Sequence, residues 1–306
     1  METTQNPAVE TMDQPKVARA PRTTRRVLVT GASTGIGRAT VGRLADDGAF
    51  VWAGVGREED AHALETAHPG HVEALVFDVT DQEAVARAGT RVRAAGPLHG
   101  LVNNAGVALP APLEFMPLEE FRRQIEVNLV GQLAVTQAAL PALRAATELE
   151  GGPAPRIVMI GSIGDRLAGP IIGAYHAAKF GLAGLTGSLR AELAPSGIDV
   201  VLVEPGTIAT PIWSRGRSAG DRILADLPPE ATQRYGTQLQ AVRNQAERAA
   251  RTGLPPAAVA EVIVTALTAP RPRARYLVGR DARMAAMLAY LPDRAREWVL
   301  ARVAGG

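Results

Sequence analysis

An apolar run that ends in a glycine-rich turn is the feature that most restricts the fold of this chain. Residues 26–30 are typical of a short buried strand, Gly31, Gly35 and Gly37 follow, and a helical pattern covers 38–47. A strand, a glycine-rich turn and a helix N-terminus form an anion site, where backbone amides and the helix dipole face a pyrophosphate. The spacing is Gly-x-x-x-Gly-x-Gly rather than the commoner Gly-x-Gly-x-x-Gly, so a purely structural glycine turn is the alternative.

Apolar runs recur along the chain and alternate with helical patterns. The further runs that are typical of buried strands cover residues 48–56, 73–80, 98–106, 156–161 and 199–204. Helical patterns lie between them, the longest over 121–144, and another covers 255–267. This alternation predicts an α/β fold, a doubly wound and mostly parallel sheet of the Rossmann type in a single domain.

The end of the second predicted strand bears on the choice of dinucleotide. In such folds an acidic side chain at this point binds the ribose hydroxyls of NAD and repels a 2′-phosphate. This chain has Val55 and Gly56 there, followed by Arg57. The missing acid and the nearby arginine favour NADP(H) over NAD(H). Alternatively, Arg57 is a solvated loop charge, since Glu58 and Glu59 come directly after it.

Small and polar residues follow the third and fourth predicted strands. Asp78 either accepts a hydrogen bond from an adenine amino group or caps the next helix, a role that is open also to Thr80 and Asp81. The Asn-Ala-Gly segment at 104–106 would let the backbone pass close to a flat ligand ring, with the asparagine amide bracing neighbouring strands. By itself such a segment would be a simple turn.

Two further polar residues, Asn128 and Ser162, lie at positions that suit a ligand site. Asn128 falls inside the helical pattern over 121–144, and a buried asparagine must be hydrogen-bonded. It either bends the helix and holds a water close to Lys179, or is satisfied by a backbone carbonyl without catalytic effect. Ser162 comes just after the fifth strand, and ligands bind outside the carboxyl ends of parallel strands. It is therefore placed to hydrogen-bond a substrate oxygen.

Tyr175 and Lys179 lie four residues apart in a segment of helix-favouring residues, so we expect them on one helical face. A lysine ammonium beside a phenol would lower the tyrosine pKa from about 10, letting the phenol exchange protons with an alcohol. The chain has 33 lysines and arginines, yet Lys16 and Lys179 are its only lysines. This bias suggests that a guanidinium cannot replace the compact ammonium at this position. A chance pairing on one helix face is the alternative.

The order and spacing of these motifs resemble the short-chain dehydrogenase/reductase family over about residues 26–210. The motifs are Thr30-Gly-x-x-x-Gly35-Ile-Gly37, Asn104-Ala-Gly106, Asn128, Ser162, Tyr175-x-x-x-Lys179 and Pro205-Gly206. The segments 204–213 and 272–279 resemble the steroid- and retinol-dehydrogenase-like branch of that family.

The resemblance implies roles for the matching residues. Tyr175 would be the general acid/base, and Lys179 would lower its pKa and hold the nicotinamide ribose. Ser162 would orient the substrate oxygen, and Asn128 would anchor a proton-relay water. The implied cofactor contacts are Gly31, Ser33, Thr34, Gly35, Ile36, Gly37, Arg57, Asp78, Val79, Asn104, Ala105, Gly106, Tyr175, Lys179, Pro205, Gly206 and Thr210. Arg57 departs from the family pattern, in which the usual NADP determinant is an arginine one position earlier.

Apolar residues after the presumed strand ends could line a substrate pocket with few polar anchors, or some could belong to the core. They are Leu109, Ile163, Leu167, Ile171, Ile172, Ile208, Ile212 and Trp213. Residues 211–255, interrupted by two prolines, predict a helical lid over the substrate, with plain surface helices as the alternative. The extension over 271–306 contains an amphipathic stretch, 284–303. This stretch either closes the pocket, makes a subunit contact or lies on a membrane surface.

Composition argues against several other classes of protein. The 306-residue chain has no cysteine, which excludes disulfides and thiolate metal sites. Histidines 62, 68 and 71 cluster without a metal-binding spacing, so we expect loop histidines and no metal. A net charge of +2 and a basic stretch without a nucleic-acid module predict no nucleic-acid partner; the stretch consists of Arg271, Arg273, Arg275, Arg280 and Arg283.

Targeting signals are also missing from the sequence pattern. Residues 1–24 predict a disordered polar tail rather than a secretory signal. The sequence contains no uninterrupted apolar run of about 18 residues, so we expect no transmembrane helix. We therefore expect a cytoplasmic protein, and the family resemblance implies a homodimer or homotetramer.

Together these features predict a dinucleotide-binding and catalytic domain over 25–270 that includes the lid. Its predicted function is an NAD(P)-dependent oxidoreductase that interconverts a lipophilic alcohol and its ketone or aldehyde. The alternative is a non-catalytic NADP(H)-binding redox sensor, against which the intact set of Asn128, Ser162, Tyr175 and Lys179 argues. A third possibility, an isomerase or epimerase that retains the cofactor, has no dedicated sequence feature.

Overall fold

A computed structural model of the chain describes residues 25–305, with side chains up to residue 299. The predicted polar tail over residues 1–24 lies outside the described residues. Within the described part, the strands form one parallel sheet in the order β3-β2-β1-β4-β5-β6-β7. The strands are β1 Arg26–Val29, β2 Phe50–Val55, β3 Val72–Val76, β4 Gly100–Asn103, β5 Arg156–Ile160, β6 Asp199–Pro205 and β7 Arg275–Val278.

Helices connect consecutive strands, and two further helices end the described chain. They are α1 Gly35–Asp46, α2 Glu58–Ala67, α3 Gln82–Ala94, α4 Leu118–Ile125, α5 Gly131–Thr147, α6 Gly173–Leu193, α7 Ile212–Ala225, α8 Pro229–Thr252, α9 Pro256–Thr268, α10 Arg280–Leu288 and α11 Asp293–Gly305. A π-helical turn, Glu126–Val130, joins α4 to α5, and 3₁₀ turns occupy Ile163–Asp165 and Ala194–Ser196.

The sheet is buried on both faces, which explains why its strands read as continuous apolar runs. Along β1, Val27 and Val29 face a core shared with α1 and α9, whereas Leu28 faces a second core shared with α3, α5 and α6. Successive side chains of a strand point to opposite faces, so one apolar strand supplies both cores. The predicted α/β fold with a doubly wound, Rossmann-type parallel sheet is confirmed.

The largest differences from the sequence expectations concern where elements end. The third strand was expected to run to residue 80 but ends at Val76. The chain turns just after the strand, because the Asp78 carboxylate accepts hydrogen bonds from the backbone N–H and the hydroxyl of Thr80, both at 2.9 Å. Asp81, rather than Asp78, caps α3 by accepting from the N–H of Ala84 at 3.0 Å.

Two helical patterns are divided in the structure. The pattern over 121–144 belongs to a longer helical segment that the π turn interrupts at Glu126–Val130. The amphipathic stretch over 284–303 falls on two helices, α10 and α11, separated near Pro292. The prolines at 228 and 229 likewise separate α7 from α8. Proline lacks the N–H that a helix interior needs, so the last two breaks have a direct chemical cause.

The glycine turn generates a stability prediction. A Cβ atom at Gly37 would overlap with the carbonyl oxygen of Gly31, whereas one at Gly42, in the same helix, would meet only the His68 ring at 3.6 Å. We expect Gly37→Ala to destabilise the fold by about 1–3 kcal/mol through overpacking. Gly42→Ala should instead stabilise α1 by up to about 1 kcal/mol. Urea unfolding of both variants measures the two effects, and equal effects would contradict this packing.

Candidate active site

The turn after β1 has the backbone of an anion cradle. Gly31 and Gly35 have positive φ angles, +62° and +55°, which a residue with a side chain rarely adopts. Thr34 is the N-cap residue of α1, but its side chain makes no capping hydrogen bond. The first amides of α1 are therefore free of a side-chain cap, and the helix dipole adds positive potential there. Ser33 and Ile36 lie in the same turn, so all six residues predicted for it are together.

The segment after β4 packs directly on this turn. A Cβ atom at Gly31 would lie 2.8 Å from the Cα atom of Ala105, so only glycine allows the two backbones to approach. The Asn104 side chain donates to the carbonyl oxygens of Thr30, at 2.9 Å, and Gly31, at 3.1 Å. The Thr30 hydroxyl in turn accepts from the N–H groups of Asn104 and Ala105. These bonds brace β1 against β4 and fix the turn.

The other predicted cofactor residues border the same edge of the sheet. Thr210 lies against the turn, because a Cβ atom at Gly35 would be 3.2 Å from its side chain. Gly206, after Pro205 at the end of β6, leaves room for Asp281, whose carboxylate accepts from the N–H of Thr207 at 2.6 Å. Val79 differs from these residues because its side chain is buried in the core near Gly131. Its backbone therefore supplies the polar groups at this position.

Arg57 follows β2, as expected, but its charge is engaged by its own helix. Its guanidinium donates to the Asp60 carboxylate at 3.0 and 3.3 Å and lies 3.8 Å from Glu59. The side chain is 63% exposed, so these pairs are solvent-screened and weak. The arginine is therefore within reach of the second strand's carboxyl end without being locked there.

Asn128 lies in the π turn, at the point where α4 passes into α5. Its side-chain oxygen accepts from the N–H of Val107, and its amide donates to the carbonyl of Val107, both at 2.8 Å. A Cβ atom at Gly106 would lie 3.3 Å from the Asn128 oxygen. The side chain thus fixes the segment that follows β4. A single π turn in a longer helix is frequent at functional sites.

Ser162, Tyr175 and Lys179 come together at the carboxyl end of β5. The Lys179 ammonium lies 5.7 Å from the centre of the Tyr175 ring and donates to the carbonyl oxygen of Ile160 at 2.8 Å. A Cβ atom at Gly164 would lie 3.3 Å from the Tyr175 ring, so this ring packs on the turn that follows Ser162. The Ser162 hydroxyl accepts from the N–H of Gly164 at 3.1 Å. The predicted helical pairing on α6 and the predicted place of the serine therefore form one cluster.

The pKa of Tyr175 shifts in the direction opposite to the sequence expectation. Burial raises the pKa of the phenol, although the hydrogen bond to Ser162 lowers it. Burial also lowers the pKa of Lys179 to about 8, because removal from water disfavours the charged ammonium. The expected lowering of the Tyr175 pKa by Lys179 was wrong for this structure, since desolvation of the phenol dominates.

A buried histidine that the sequence did not single out holds the loop between the serine and the tyrosine. The Nδ1 atom of His176 is 2.9 Å from the carbonyl oxygen of Gly164, and Nε2 accepts from the N–H of Gly169 at 3.0 Å. Burial lowers the pKa of His176, which favours the neutral ring that this pattern requires. Ile171, in the same loop, has a φ of +70°, which is strained for a β-branched residue.

Residues 25–220 match the model of a family described as short chain dehydrogenase. The chain belongs to this family. It is 35% identical over 274 residues to an NADPH-dependent 3-dehydrocapnine reductase of Ornithobacterium rhinotracheale, covering 88% of this chain and 94% of that protein. It is 34% identical to mouse retinol dehydrogenase 5, covering 91% of this chain and 89% of that protein. The predicted family resemblance is confirmed.

A solved structure supports the same assignment. The short chain dehydrogenase from Burkholderia cenocepacia in complex with NADP is 28% identical, with a TM-score of 0.69, and the match covers 90% of this chain and 97% of that one. Within the described part of the dehydrogenase, no group of three histidine, cysteine or acidic residues could hold a metal ion. The described helices include none that is long and apolar enough to cross a membrane.

The predicted lid packs on the segment that follows β4. A Cβ atom at Gly216 of α7 would lie 3.0 Å from the carbonyl oxygen of Ala108, and one at Gly220 would lie 2.8 Å from Pro110. These glycines, one helical turn apart, let α7 approach closely. Ion pairs from Arg217 to Glu247, at 3.2 Å, and from Arg243 to Asp221, at 2.5 Å, tie α8 to α7.

The apolar residues predicted for a pocket divide into two groups. Leu109, Ile171 and Ile208 are buried, Leu109 among residues of α6 and α7 and Ile208 in the core on the α1 side of the sheet. The half-buried members are Ile163, Leu167, Ile172, Ile212 and Trp213. The Trp213 indole donates to the carbonyl of Ile208 at 2.6 Å, which fixes the start of α7.

Sequence reasoning also missed a cluster of buried charges next to Ser162. Asp165 and Glu204 have fully buried side chains, and Arg166 and Arg275 pair with them. Glu204 ends an otherwise apolar strand, which could have signalled a buried acid that needs a partner. Arg275 was assigned only to a basic stretch, because nothing in the sequence indicated that β7 would place it beside β6.

The double hydrogen bond of Asn128 yields a prediction. In Asn128→Ala, the N–H and the carbonyl of Val107 lose their partners, so we expect a loss of about 2 kcal/mol or more in the free energy of unfolding. Asn244, on an exposed face of α8, makes a side-chain hydrogen bond only to Gln240 among the described residues. Asn244→Ala should therefore change stability by less than about 0.5 kcal/mol. Urea denaturation distinguishes them; a fully stable Asn128→Ala protein would show that this amide does not fix the segment.

Proposed function

We propose that this short-chain dehydrogenase interconverts a lipophilic alcohol and its ketone or aldehyde with NADP(H), using Tyr175 as the general acid/base. One observation carries the proposal: the Tyr175 ring packs on the turn that Ser162 caps, with the Lys179 ammonium 5.7 Å from the centre of the same ring. The three groups adjoin the carboxyl end of β5, in the sheet that carries the glycine cradle. This is the edge at which ligands of open parallel sheets bind.

The residues at this edge fit a dinucleotide. The positive φ angles of Gly31 and Gly35 and the uncapped start of α1 suit a pyrophosphate, and the small residues 104–106 suit a flat ring. Ser33, Thr34, Ile36 and Gly37 complete the cradle. Asp78 and Val79 would flank the adenine, and Pro205, Gly206 and Thr210 would flank the nicotinamide. When bound, this cofactor would supply or accept the hydride.

The protein's own part in the reaction is proton transfer and orientation. In reduction, a hydride adds to the carbonyl carbon and the carbonyl π bond breaks, so negative charge develops on the oxygen. The Tyr175 hydroxyl gives its proton to that oxygen, and the Ser162 hydroxyl holds the oxygen in place by a hydrogen bond. Because burial raises its pKa, Tyr175 carries this proton at neutral pH. Oxidation reverses each step.

Lys179 and Asn128 would support the proton transfer. The Lys179 ammonium would steady the phenolate that forms when the proton leaves, and hold the nicotinamide ribose. The Asn128 side chain is occupied by Val107, so the proton-relay water that we assign to it would bind its backbone in the π turn.

The choice of NADP(H) and of a lipophilic substrate has independent support. Val55 and Gly56, rather than an acid, stand at the end of β2, and the exposed Arg57 comes directly after them. One relative is named as NADPH-dependent, and a related structure holds NADP. The half-buried apolar residues near the serine–tyrosine loop and at the start of α7 favour an apolar substrate, and relatives include a retinol dehydrogenase and a 17-beta-hydroxysteroid dehydrogenase. Helices α7 and α8 would be the substrate lid.

Cytoplasmic location, assembly into a homodimer or homotetramer, the absence of a nucleic-acid partner, and peripheral membrane contact through the C-terminal extension stay predictions. The exposed apolar side chains of Met284 and Met287 on α10 are compatible with either a subunit or a membrane contact.

Replacing Tyr175 tests the reaction. Tyr175→Phe should lower kcat by at least about 10³-fold, because the acid/base proton is lost, while NADPH still binds. Tyr290→Phe is the matched control, since this tyrosine is 84% exposed, and it should be fully active. NADPH absorbance is followed with cyclohexanone, menthone, retinal and oestrone, and NADP⁺ reduction with their alcohols. A Tyr175→Phe enzyme with normal turnover would overturn the mechanism. A wild-type protein that binds NADPH but turns over none of the panel would favour the redox sensor.

Replacing Arg57 tests cofactor choice. Arg57→Ala should raise KM for NADPH about 10-fold, the loss of about 1.4 kcal/mol of binding to a 2′-phosphate. KM for NADH should not change. Arg87→Ala, which removes an exposed arginine from α3, serves as the control. Parallel titrations with both cofactors decide the question. Unchanged NADPH kinetics in Arg57→Ala would show that this arginine is a surface charge that does not contribute to NADPH binding.

A further inference from the structure

Two carboxyl groups that the mechanism does not use are buried together next to the active site. Asp165 lies in the 3₁₀ turn after Ser162, and Glu204 lies one residue before the end of β6; neither side chain has any exposed surface. Arg166 and Arg275 contact both carboxyl groups, so the two acids lie in one buried cluster. Two carboxylates in one buried cluster repel each other, which favours a proton on one of them.

The neighbouring arginines favour charge on only one member of this pair. Arg166 donates to both oxygens of Glu204, at 2.5 and 3.1 Å, and Arg275 does the same at 2.9 and 3.0 Å. Asp165 receives one long contact from Arg275, at 3.3 Å, and lies 3.9 Å from Arg166. Its Oδ2 atom has no hydrogen-bond partner among the described residues. Glu204 is therefore the carboxylate, and Asp165 is the member that holds the proton.

The unpartnered oxygen of Asp165 faces the backbone that holds the catalytic groups. A Cβ atom at Gly161 would lie 2.7 Å from Oδ2 of Asp165. Gly161 joins Ile160, whose carbonyl accepts from Lys179, to Ser162, whose side chain lowers the pKa of Tyr175. The turn is closed by a hydrogen bond from the Asp165 N–H to the Ser162 carbonyl at 2.9 Å. Any charge on Asp165 is thus next to both catalytic anchors.

We propose that Asp165, through the proton it holds beside Glu204, is a positioning residue that sets the acidity of the Tyr175–Lys179 pair. The catalytic test of this inference rests on the proposed function, whereas its stability test does not. The charged and titratable groups around Asp165 come from several elements, and they are Arg166 of its own turn, Glu204 of β6, Arg275 of β7, and Tyr175, His176 and Lys179 of α6.

The electrostatic direction follows from this geometry. Burial, and then Glu204, raise the pKa of Asp165 to about 8, so it is neutral at neutral pH and becomes charged in mildly alkaline solution. A charged Asp165 raises the pKa of both Tyr175 and Lys179, since it disfavours the phenolate and favours the ammonium. Ionisation of Asp165 therefore moves both catalytic groups to higher pKa together.

The catalytic test uses two substitutions with opposite expected effects. Asp165→Asn cannot ionise, so the pH profile of kcat for alcohol oxidation should shift to lower pH on its alkaline side by about 1 unit. Glu204→Gln removes the neighbouring carboxylate, so Asp165 ionises at neutral pH and the profile should shift to higher pH. Asp165→Glu, which retains a titratable carboxyl, should restore part of the wild-type profile. Asp46→Asn, at an exposed position of α1, is the control.

A second measurement needs no substrate. The folded state keeps the Asp165 proton up to a higher pH than the unfolded state does. The free energy of unfolding of wild type therefore contains a contribution that decreases as the pH rises from about 4 to about 8. Asp165→Asn lacks this contribution. The Tm of Asp165→Asn minus that of wild type should therefore grow by about 5 °C between pH 5 and pH 8. Asp46→Asn should show a constant difference.

The outcomes separate the inference from the proposed function. If wild type turns over no alcohol but the Tm difference grows as described, the buried proton is real and the reaction is wrong. If wild type is active and neither Asp165→Asn nor Glu204→Gln moves its pH profile, the inference is overturned. Shifts of the same sign in both variants would overturn it as well. Should Asp165→Asn fail to fold, the Glu204→Gln profile alone decides, since only a protonated Asp165 beside the Glu204 carboxylate predicts an alkaline shift.

Discussion

The hydrogen bond from the Lys179 ammonium to the carbonyl oxygen of Ile160 connects the two parts of the active site. It joins the end of β5 to α6, whose first turn carries Tyr175. The ammonium is buried, and a buried cation is costly unless it is satisfied by hydrogen bonds. A free carbonyl at the last residue of a parallel strand is such a partner, because the ladder of hydrogen bonds ends there. The position of the tyrosine thus depends on where the strand stops.

The same dependence on strand ends explains the cofactor edge. Parallel strands end at one edge of the sheet, and the segments that leave it must pass each other closely. Gly31 and Ala105 are in backbone contact, and Asn104 satisfies the two carbonyl groups that this contact leaves without ladder partners. Asn128 does the equivalent for Val107 from the next element along the chain. Small residues and side-chain amides therefore recur here for one reason: amides replace the sheet's own hydrogen bonds where the backbones diverge.

The sequence was sufficient to predict the features that depend on local pattern. Strands buried on both faces give apolar runs, and the glycine turn and the Tyr175–Lys179 spacing are short-range signals. The features that it did not reveal depend on which distant segments meet. The pairing of Glu204 with Arg275 requires β7 to lie beside β6. The sign of the Tyr175 shift required the depth of burial, which the spacing to Lys179 does not contain. The π turn at Asn128 likewise has no sequence pattern distinct from that of an α-helix.

The contrast between lysine and arginine in this chain has a physical explanation in the two buried charge sites. At Glu204, two planar guanidinium groups each donate two hydrogen bonds to the carboxylate, a geometry that an ammonium cannot match, and they keep their charge at any working pH. At position 179 the requirement is different: a single donor must fit between a helix and a strand carbonyl, and its pKa of about 8 places its charge within reach of ordinary pH changes. An arginine there would be too broad for the space and permanently charged. The cation that can lose its proton therefore lies beside the phenol, and the permanent cations hold the carboxylate behind it.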